Sequence, residues 1–423
     1  MNDFHYKNGT LHCEGLALSD IAEKVGTPFY AYSYAGLLGQ IQAYQEAFAK
    51  VPHLIAFAVK ANSNIAVLRL FGREGGGADI VSGGELHRAL VAGIDPKRIV
   101  FAGVGKTKAE MKDALKAGIL MFNIESEQEL TALDECAKSL QLMAPVALRV
   151  NPNVNPKTHP YISTGLKKSK FGIEIGQAVA QYHLAMGLSN IKVVGIHSHI
   201  GSQLTEVGPF VDTLTRVYEL IEALRADEVT IEHWDIGGGL GIVYDNEKPP
   251  SQKEMAAALL PLLKKSGCHI ILEPGRSLVG NAGALVTRVI YTKKGEAKNF
   301  VVVDAGMNDL IRPSLYEAYH DIRPVVEKKR KKEVVDVVGP ICESGDFLAQ
   351  DRELGQVESD ELLAVMSAGA YAFSMSSNYN SRPRPPEILV RGDTFEIIRK
   401  RETMEDLLQG ERVPDYLQDG YES

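Results

Sequence analysis

A (β/α)₈ barrel joined to a second, mostly antiparallel β domain is the α/β architecture that this 423-residue sequence predicts. Three observations predict it. Between about residues 54 and 276, eight short apolar runs rich in Val, Ile and Phe alternate with longer segments of helical period. Runs that are apolar throughout suit parallel strands buried on both faces. After about residue 279 the pattern changes to alternating residues broken by turn clusters, and the length exceeds what one hydrophobic core usually organises.

Taken in order, the first 35 residues hold no convincing barrel unit, but TPFYAYSY (27–34) reads as a strand able to join the later sheet. The barrel runs follow: LIAFAVKAN (54–62), GADIVSG (77–83), IVFAGV (99–104), LMFNIES (120–126), VALRVNP (146–152), VVGIHSHIGS (193–202), HWDIGGG (233–239) and HIILEPGR (269–276). Helix signals lie between them, as in TKAEMKDALKAG, with Thr107 as N-cap and Gly118 as C-cap. The segments GALVTRVIYTKKGE, NFVVVDAGMND, EVVDVVGPICESGD, LLAVMSAGAYAF and EILVRGDTFEIIRK read as strands of the second domain. The expected division is therefore a barrel at 36–278 and a β domain built from 1–35 and 279–423. The charge run EKKRKKE (327–333) is expected at a solvated hairpin tip, and NYNSRPRPPE (378–387) as an exposed loop.

Composition narrows the function classes. Hydrophobic residues at 45% and charged residues at 24% are ordinary for a globular protein, and a net charge of −8 offers no electrostatic reason to bind nucleic acid. Cys13, Cys136, Cys268 and Cys342 lack CxxC spacing, which favours free thiols in a reducing compartment. The start MNDFHYKNG has no basic-then-apolar pattern, and no apolar run approaches the roughly 20 residues that span a bilayer. A soluble cytoplasmic protein with no membrane partner is expected.

In such barrels chemistry gathers where strands end at the C-terminal face. Lys60, Asp79, Arg149 with Asn151, His197 or His199, Asp235 with its glycines, and Glu273 with Arg276 all fall late in their runs. His197 and His199 share a face by the period of two, yet no third metal ligand is fixed by spacing, so no metal is expected. A lysine there is either a snorkelling or ion-paired side chain or a reactive amine. DIGGGLG (235–241) and EPGRS (273–277) follow the seventh and eighth runs, where barrels build phosphate sites from backbone N–H groups. An amine beside a phosphate site fits pyridoxal 5′-phosphate, with Lys60 forming the Schiff base and Glu273 as the acid at the ring nitrogen. The alternative for Glu273 is an ion pair with Arg276.

The motifs FAVKAN, HSHIGSQ, GGGLG, EPGRS, RPSLY, GPICESGD and AGAY occur in the order of the fold-type III pyridoxal-phosphate enzymes, which include alanine racemase and eukaryotic ornithine decarboxylase. Over nearly its whole length the chain resembles the diaminopimelate decarboxylase family within that group. The resemblance implies an alanine-racemase-like fold, His199 stacked on one ring face, Asp79 near the Lys60 amine, and Ser202, Gly238, Gly239, Gly275, Arg276 and Tyr371 around the phosphate. It also implies a homodimer in which the CESGD loop of one subunit completes the site of the other.

Arg276, Arg312 and Tyr316, with Tyr371 nearby, offer donors suited to a carboxylate distal to the reacting centre. Glu343 is placed to accept the distal ammonium, and by family analogy Cys342 protonates the carbanion. The bland readings are a surface ion pair for Arg312 and a small buried side chain for Cys342. The expected reaction is decarboxylation of meso-2,6-diaminopimelate to L-lysine, the last step of lysine biosynthesis. A decarboxylase of D-ornithine, D-lysine or L-arginine is the alternative within the class. A non-catalytic homologue would have lost the lysine or thiol, and a Schiff-base aldolase would carry no chromophore.

Overall fold

The structure is a computed structural model and describes residues 3–154 and 170–418. Eight parallel strands, His53–Ala58, Gly77–Ile80, Ile99–Phe101, Met121–Ile124, Ala144–Asn151, Ile191–His197, His233–Asp235 and His269–Leu272, pair in chain order. The eighth pairs with the first through Ile270–Leu272 and His53–Ile55, which closes the barrel. Each strand stops before the end of the apolar run that announced it, because the last residues leave the ladder to build loops. After Ala58, for instance, Val59–Ala61 forms a 3₁₀ turn closed by the Asn62 N–H on the Val59 carbonyl at 3.1 Å.

Between strands, side-chain oxygens cap the helices. Ser82, Ser126 and Ser251 accept from Glu85, Glu129 and Glu254 N–H groups, and Thr107 forms a capping box with Glu110 before Lys108–Ala117. Gly118 ends that helix with φ +69°.

Inside the barrel the period of two stacks chemistry on hydrophobic packing. Leu54, Ala56, Val100, Met121, Ala147, Val194 and Ile271 form a buried apolar cluster of their own. Two residues further along stand Asn123 and Arg149 in their strands and Glu273 just past the end of its own, nearer the C-terminal face.

The second sheet is mixed rather than purely antiparallel. Its strand Gly283–Lys294 pairs antiparallel with Phe29–Ser33, Asn299–Val303 and Leu362–Val365. Phe29–Ser33 also runs parallel to Glu387–Arg391, and Asn299–Val303 parallel to Lys332–Val338. Residues of the strands Phe4–Lys7, Thr10–Cys13 and Leu16–Ala17 form a separate three-stranded sheet. One expectation fails here. The run at 327–333 is no hairpin tip, because Ile322–Pro324 before it pairs with Leu362–Val365 whereas Lys332–Val338 pairs with Asn299–Val303 and Phe347–Gly355. The run carries a crossover between strand neighbourhoods, tied down by Lys328 and Arg330 on Glu361, and its exposure alone was legible.

Candidate active site

Ten of the predicted residues line one cavity at the C-terminal face: Lys60, His199, Ser202, Gly239, Glu273, Gly275, Arg276, Arg312, Tyr316 and Tyr371. About 760 Å³ of space lies between its walls, part of it open to solvent. The Lys60 side chain stands in the 3₁₀ turn and keeps 41% of its surface exposed, so its amine is reachable. Asp79 Oδ2 accepts from Lys60 Nζ at 3.0 Å, and Asp79 itself is buried. Burial acts to lower the Lys60 pKa, but the charges of Asp79, Tyr371 and Glu273 reverse that and hold it above its ordinary value. Burial and the charge of Glu273 push the Asp79 carboxyl up to about 7 despite Lys60.

In the same cavity, Glu273 is 6% exposed and anchored on both oxygens. His197 Nε2 lies 3.2 Å from its Oε2, and Asn123 Nδ2 donates to its Oε1 at 3.2 Å. The same Asn123 amide donates to Asp235 Oδ2 at 3.1 Å. Burial opposes ionisation of Glu273, yet its own contact with His197 and the charge of Lys60 hold its carboxyl well below the usual range. Asp235 goes the other way, raised by burial and by Glu273. Two carboxylates sharing a dry pocket cannot both ionise cheaply, so one charge sits on Glu273. The ion pair of Glu273 with Arg276 that the sequence left open does not form: Arg276 donates instead to Tyr244 Oη at 2.6 Å and Ser202 Oγ at 3.2 Å.

His197 does not pair with His199 as a metal site. His199 Nδ1 accepts the Gly238 N–H at 3.2 Å, and burial with Arg149 and Lys60 keeps its ring neutral. Among the described residues the one group of three metal-type ligands is His197, Asp235 and Glu273, whose atoms lie within 4.8 Å of one another and are engaged with each other and Asn123.

The glycine loops make a cradle. A Cβ on Gly275 would come within 3.1 Å of the Tyr371 hydroxyl and 3.2 Å of Ala58, and Gly239, at φ +114°, would press one within 2.5 Å of the Gly201 carbonyl. Tyr371 itself adopts φ +55°, a strained backbone for an aromatic residue, with its N–H held by the Ala61 carbonyl at 2.8 Å. Arg276 is 6% exposed, and its Nε has no hydrogen-bond partner among the described residues. A reachable amine, a cradle that side chains would fill, a buried guanidinium with a spare donor and a tethered carboxylate fit a pyridoxal phosphate group.

Arg312 is 5% exposed and so is not the surface ion pair the sequence allowed. Neither it nor Arg276 forms an ion pair with a carboxylate among the described residues. Cys342 and Glu343 do not reach this cavity; they stand exposed on a loop where the Cys342 N–H donates to Asn380 Oδ1 at 2.8 Å. The alternative of a small buried side chain for Cys342 is thereby removed. Sequence reasoning missed Tyr244, Asn123 and His320. An aromatic residue three after GGGLG, in the seventh βα loop, was the available signal for Tyr244.

The fold and cavity define a barrel-type pyridoxal-phosphate enzyme, and the family model for the pyridoxal-binding domain of pyridoxal-dependent decarboxylases matches residues 35–280. The chain is 52% identical to a diaminopimelate decarboxylase of Aquifex aeolicus, covering 96% of each, and 51% identical to one of Pseudomonas aeruginosa, covering 98% of this chain and 99% of that one. A solved diaminopimelate decarboxylase of M. jannaschii, in complex with L-lysine, superposes with a TM-score of 0.94 at 42% identity over 99% of both chains. The chain belongs to the diaminopimelate decarboxylase family. It is a pyridoxal-phosphate-dependent carboxy-lyase of lysine biosynthesis. No helix of the described residues is long and apolar enough to cross a membrane.

Proposed function

We propose that the chain decarboxylates meso-2,6-diaminopimelate to L-lysine at the Lys60 cavity, and that the residues named above divide the work as follows. The observation that carries this reading is the pair of buried guanidiniums, Arg276 and Arg312, facing the Lys60 amine without carboxylate partners among the described residues. Burying such a charge unpaired costs several kcal/mol, more than the roughly 2 kcal/mol that an aromatic face returns. An anionic ligand recovers the difference. Phosphate and the carboxylate retained by the substrate would supply the anions, with Arg276 within reach of both.

Bound pyridoxal phosphate supplies the electron sink for the pair left when the bond to the departing carboxylate breaks. Lys60 would be its attachment point, and Asp79 Oδ2, which accepts from Nζ at 3.0 Å, holds that amine in place. Glu273 holds the proton on the ring nitrogen, while neutral His199 supplies a flat wall. Ser202, Gly238, Gly239, Gly275, Arg276 and Tyr371 take the phosphate. Arg312 and Tyr316, with Arg276 and Tyr371, orient the retained carboxylate. A decarboxylase of D-ornithine, D-lysine or L-arginine would bring a distal cation toward Arg312, against Coulomb's law.

Cys342 returns a proton to the carbon that lost carbon dioxide, and Glu343 binds the distal ammonium. Their exposure outside their own cavity supports a homodimer in which the loop serves the neighbour's site. We take the division at 36–278 and at 1–35 with 279–423 as two domains, supported by Phe29–Ser33 pairing into the second sheet. The free thiols favour a reducing cytoplasm. The test is turnover of meso-diaminopimelate by the holoenzyme, with lysine and carbon dioxide quantified. Arg312→Ala is expected to lower kcat/KM at least about tenfold, the loss of one charge-assisted pair. Absence of lysine, or an unchanged specificity constant, overturns the reading.

A further inference from the structure

Arg312 is fixed by an acceptor that carries no charge. Its guanidinium donates to His320 Nε2 at 2.8 Å, and His320 Nδ1 lies 2.8 Å from the Met366 carbonyl. A guanidinium only donates and a carbonyl only accepts, so the two bonds leave one arrangement: proton on Nδ1, lone pair on Nε2, imidazole neutral. His320 is wholly buried. Its surroundings are cationic, with Arg312 and Arg276 on the cavity side and Arg352 donating to its backbone carbonyl at 2.7 Å. The Tyr244 ring lies edge-on at 5.3 Å from the imidazole, and the Arg312 guanidinium packs over that same ring at 4.7 Å. A carboxylate in the place of His320 would hold Arg312 more tightly, yet it would also consume the charge.

We propose that His320 is a positioning residue for Arg312: it orients the guanidinium while leaving its charge for the carboxylate that the substrate keeps and the product lysine still bears. The inference rests on the proposed substrate assignment, and it makes specificity depend on a residue that lines no part of the Lys60 cavity. Tyr244 completes the arrangement, because its hydroxyl accepts from Arg276 at 2.6 Å while its ring supports Arg312.

The experiment compares wild-type holoenzyme with His320→Glu, His320→Gln and His320→Ala. L-lysine and 1,5-diaminopentane, which lacks the carboxylate, are titrated by the cofactor absorbance, and KM and kcat are measured with meso-diaminopimelate. His320→Glu supplies a counter-charge, so it is expected to weaken lysine binding about tenfold or more and to raise KM in parallel, with 1,5-diaminopentane little affected. His320→Gln, a neutral acceptor, is expected to stay within about threefold of wild type. If the Glu variant does not fold, His320→Ala decides, with a selective loss of lysine affinity expected from the loosened guanidinium. A folded Glu or Ala variant that binds lysine as wild type does overturns the positioning role. Wild type that binds lysine no better than 1,5-diaminopentane overturns the substrate assignment instead, and this inference with it.

Discussion

Glu273 keeps its charge in a dry pocket because His197 and Asn123 occupy its two oxygens at 3.2 Å each. An amide at that position could not balance a protonated ring nitrogen. Glu273→Gln is therefore expected to retain bound cofactor while losing about a hundredfold in kcat, a few kcal/mol of barrier. Near-normal turnover would make the residue structural. His320 offers a separate reading of the same electrostatics. Burial and Arg312 lower its pKa to about 3, below the roughly 6.5 of a free imidazole, so between these values the unfolded chain binds more protons than the folded one. Its contribution is complete above pH about 6.5 and declines as the pH falls toward 3, by up to about 1.4 kcal/mol per unit. Denaturant unfolding of wild type and His320→Gln at pH 7 and 5 checks this: the wild type is expected to lose more stability between the two. Lys60, Glu273 and Arg276 were legible because strand ends and glycines mark them along the chain. Asn123 and His320 were not, because their meaning lies in contacts with residues distant in sequence, such as Asn123 with Glu273.

Among elements, the loop at 339–346 is built to present side chains outward. Asp346 accepts the Met307 N–H on Oδ1 and the Ile341 N–H on Oδ2, both at 2.6 Å, and Ser314 Oγ donates to the Gly345 carbonyl. Asp346→Ala orphans two N–H groups, at about 1–3 kcal/mol each, so the thermal midpoint is expected to fall. Because Cys342 and Glu343 ride on this loop, kcat is expected to fall with it at temperatures where the protein remains folded. Unchanged kcat in a folded variant would separate the loop from the chemistry. The eight barrel strands were readable as apolar runs, whereas their ends were not, since no turn residue marks Val59–Ala61, where the backbone leaves the strand. Pairing across the second sheet was equally hidden: alternation announces a strand but not its neighbour, which is why the charged segment at 327–333 was misplaced on a hairpin.

For the whole molecule, the proposal that the Cys342 loop serves the Lys60 cavity of a neighbouring copy rests on the exposure of Cys342 and Glu343 outside their own cavity. Mixing the two inactive proteins Lys60→Ala and Glu343→Ala under subunit exchange is expected to restore part of the activity, because a mixed dimer has one site with both residues intact. Full absence of recovery, with exchange demonstrated, would contradict shared sites. The central claim, that the (β/α)₈ barrel presents Lys60 to pyridoxal phosphate, is tested most directly by borohydride reduction of the purified holoenzyme followed by peptide mapping. The protein is expected to be yellow, to lose its visible band on reduction, and to carry the cofactor on the peptide containing Lys60. Label on another lysine, or a protein that stays colourless after addition of pyridoxal phosphate, would contradict it.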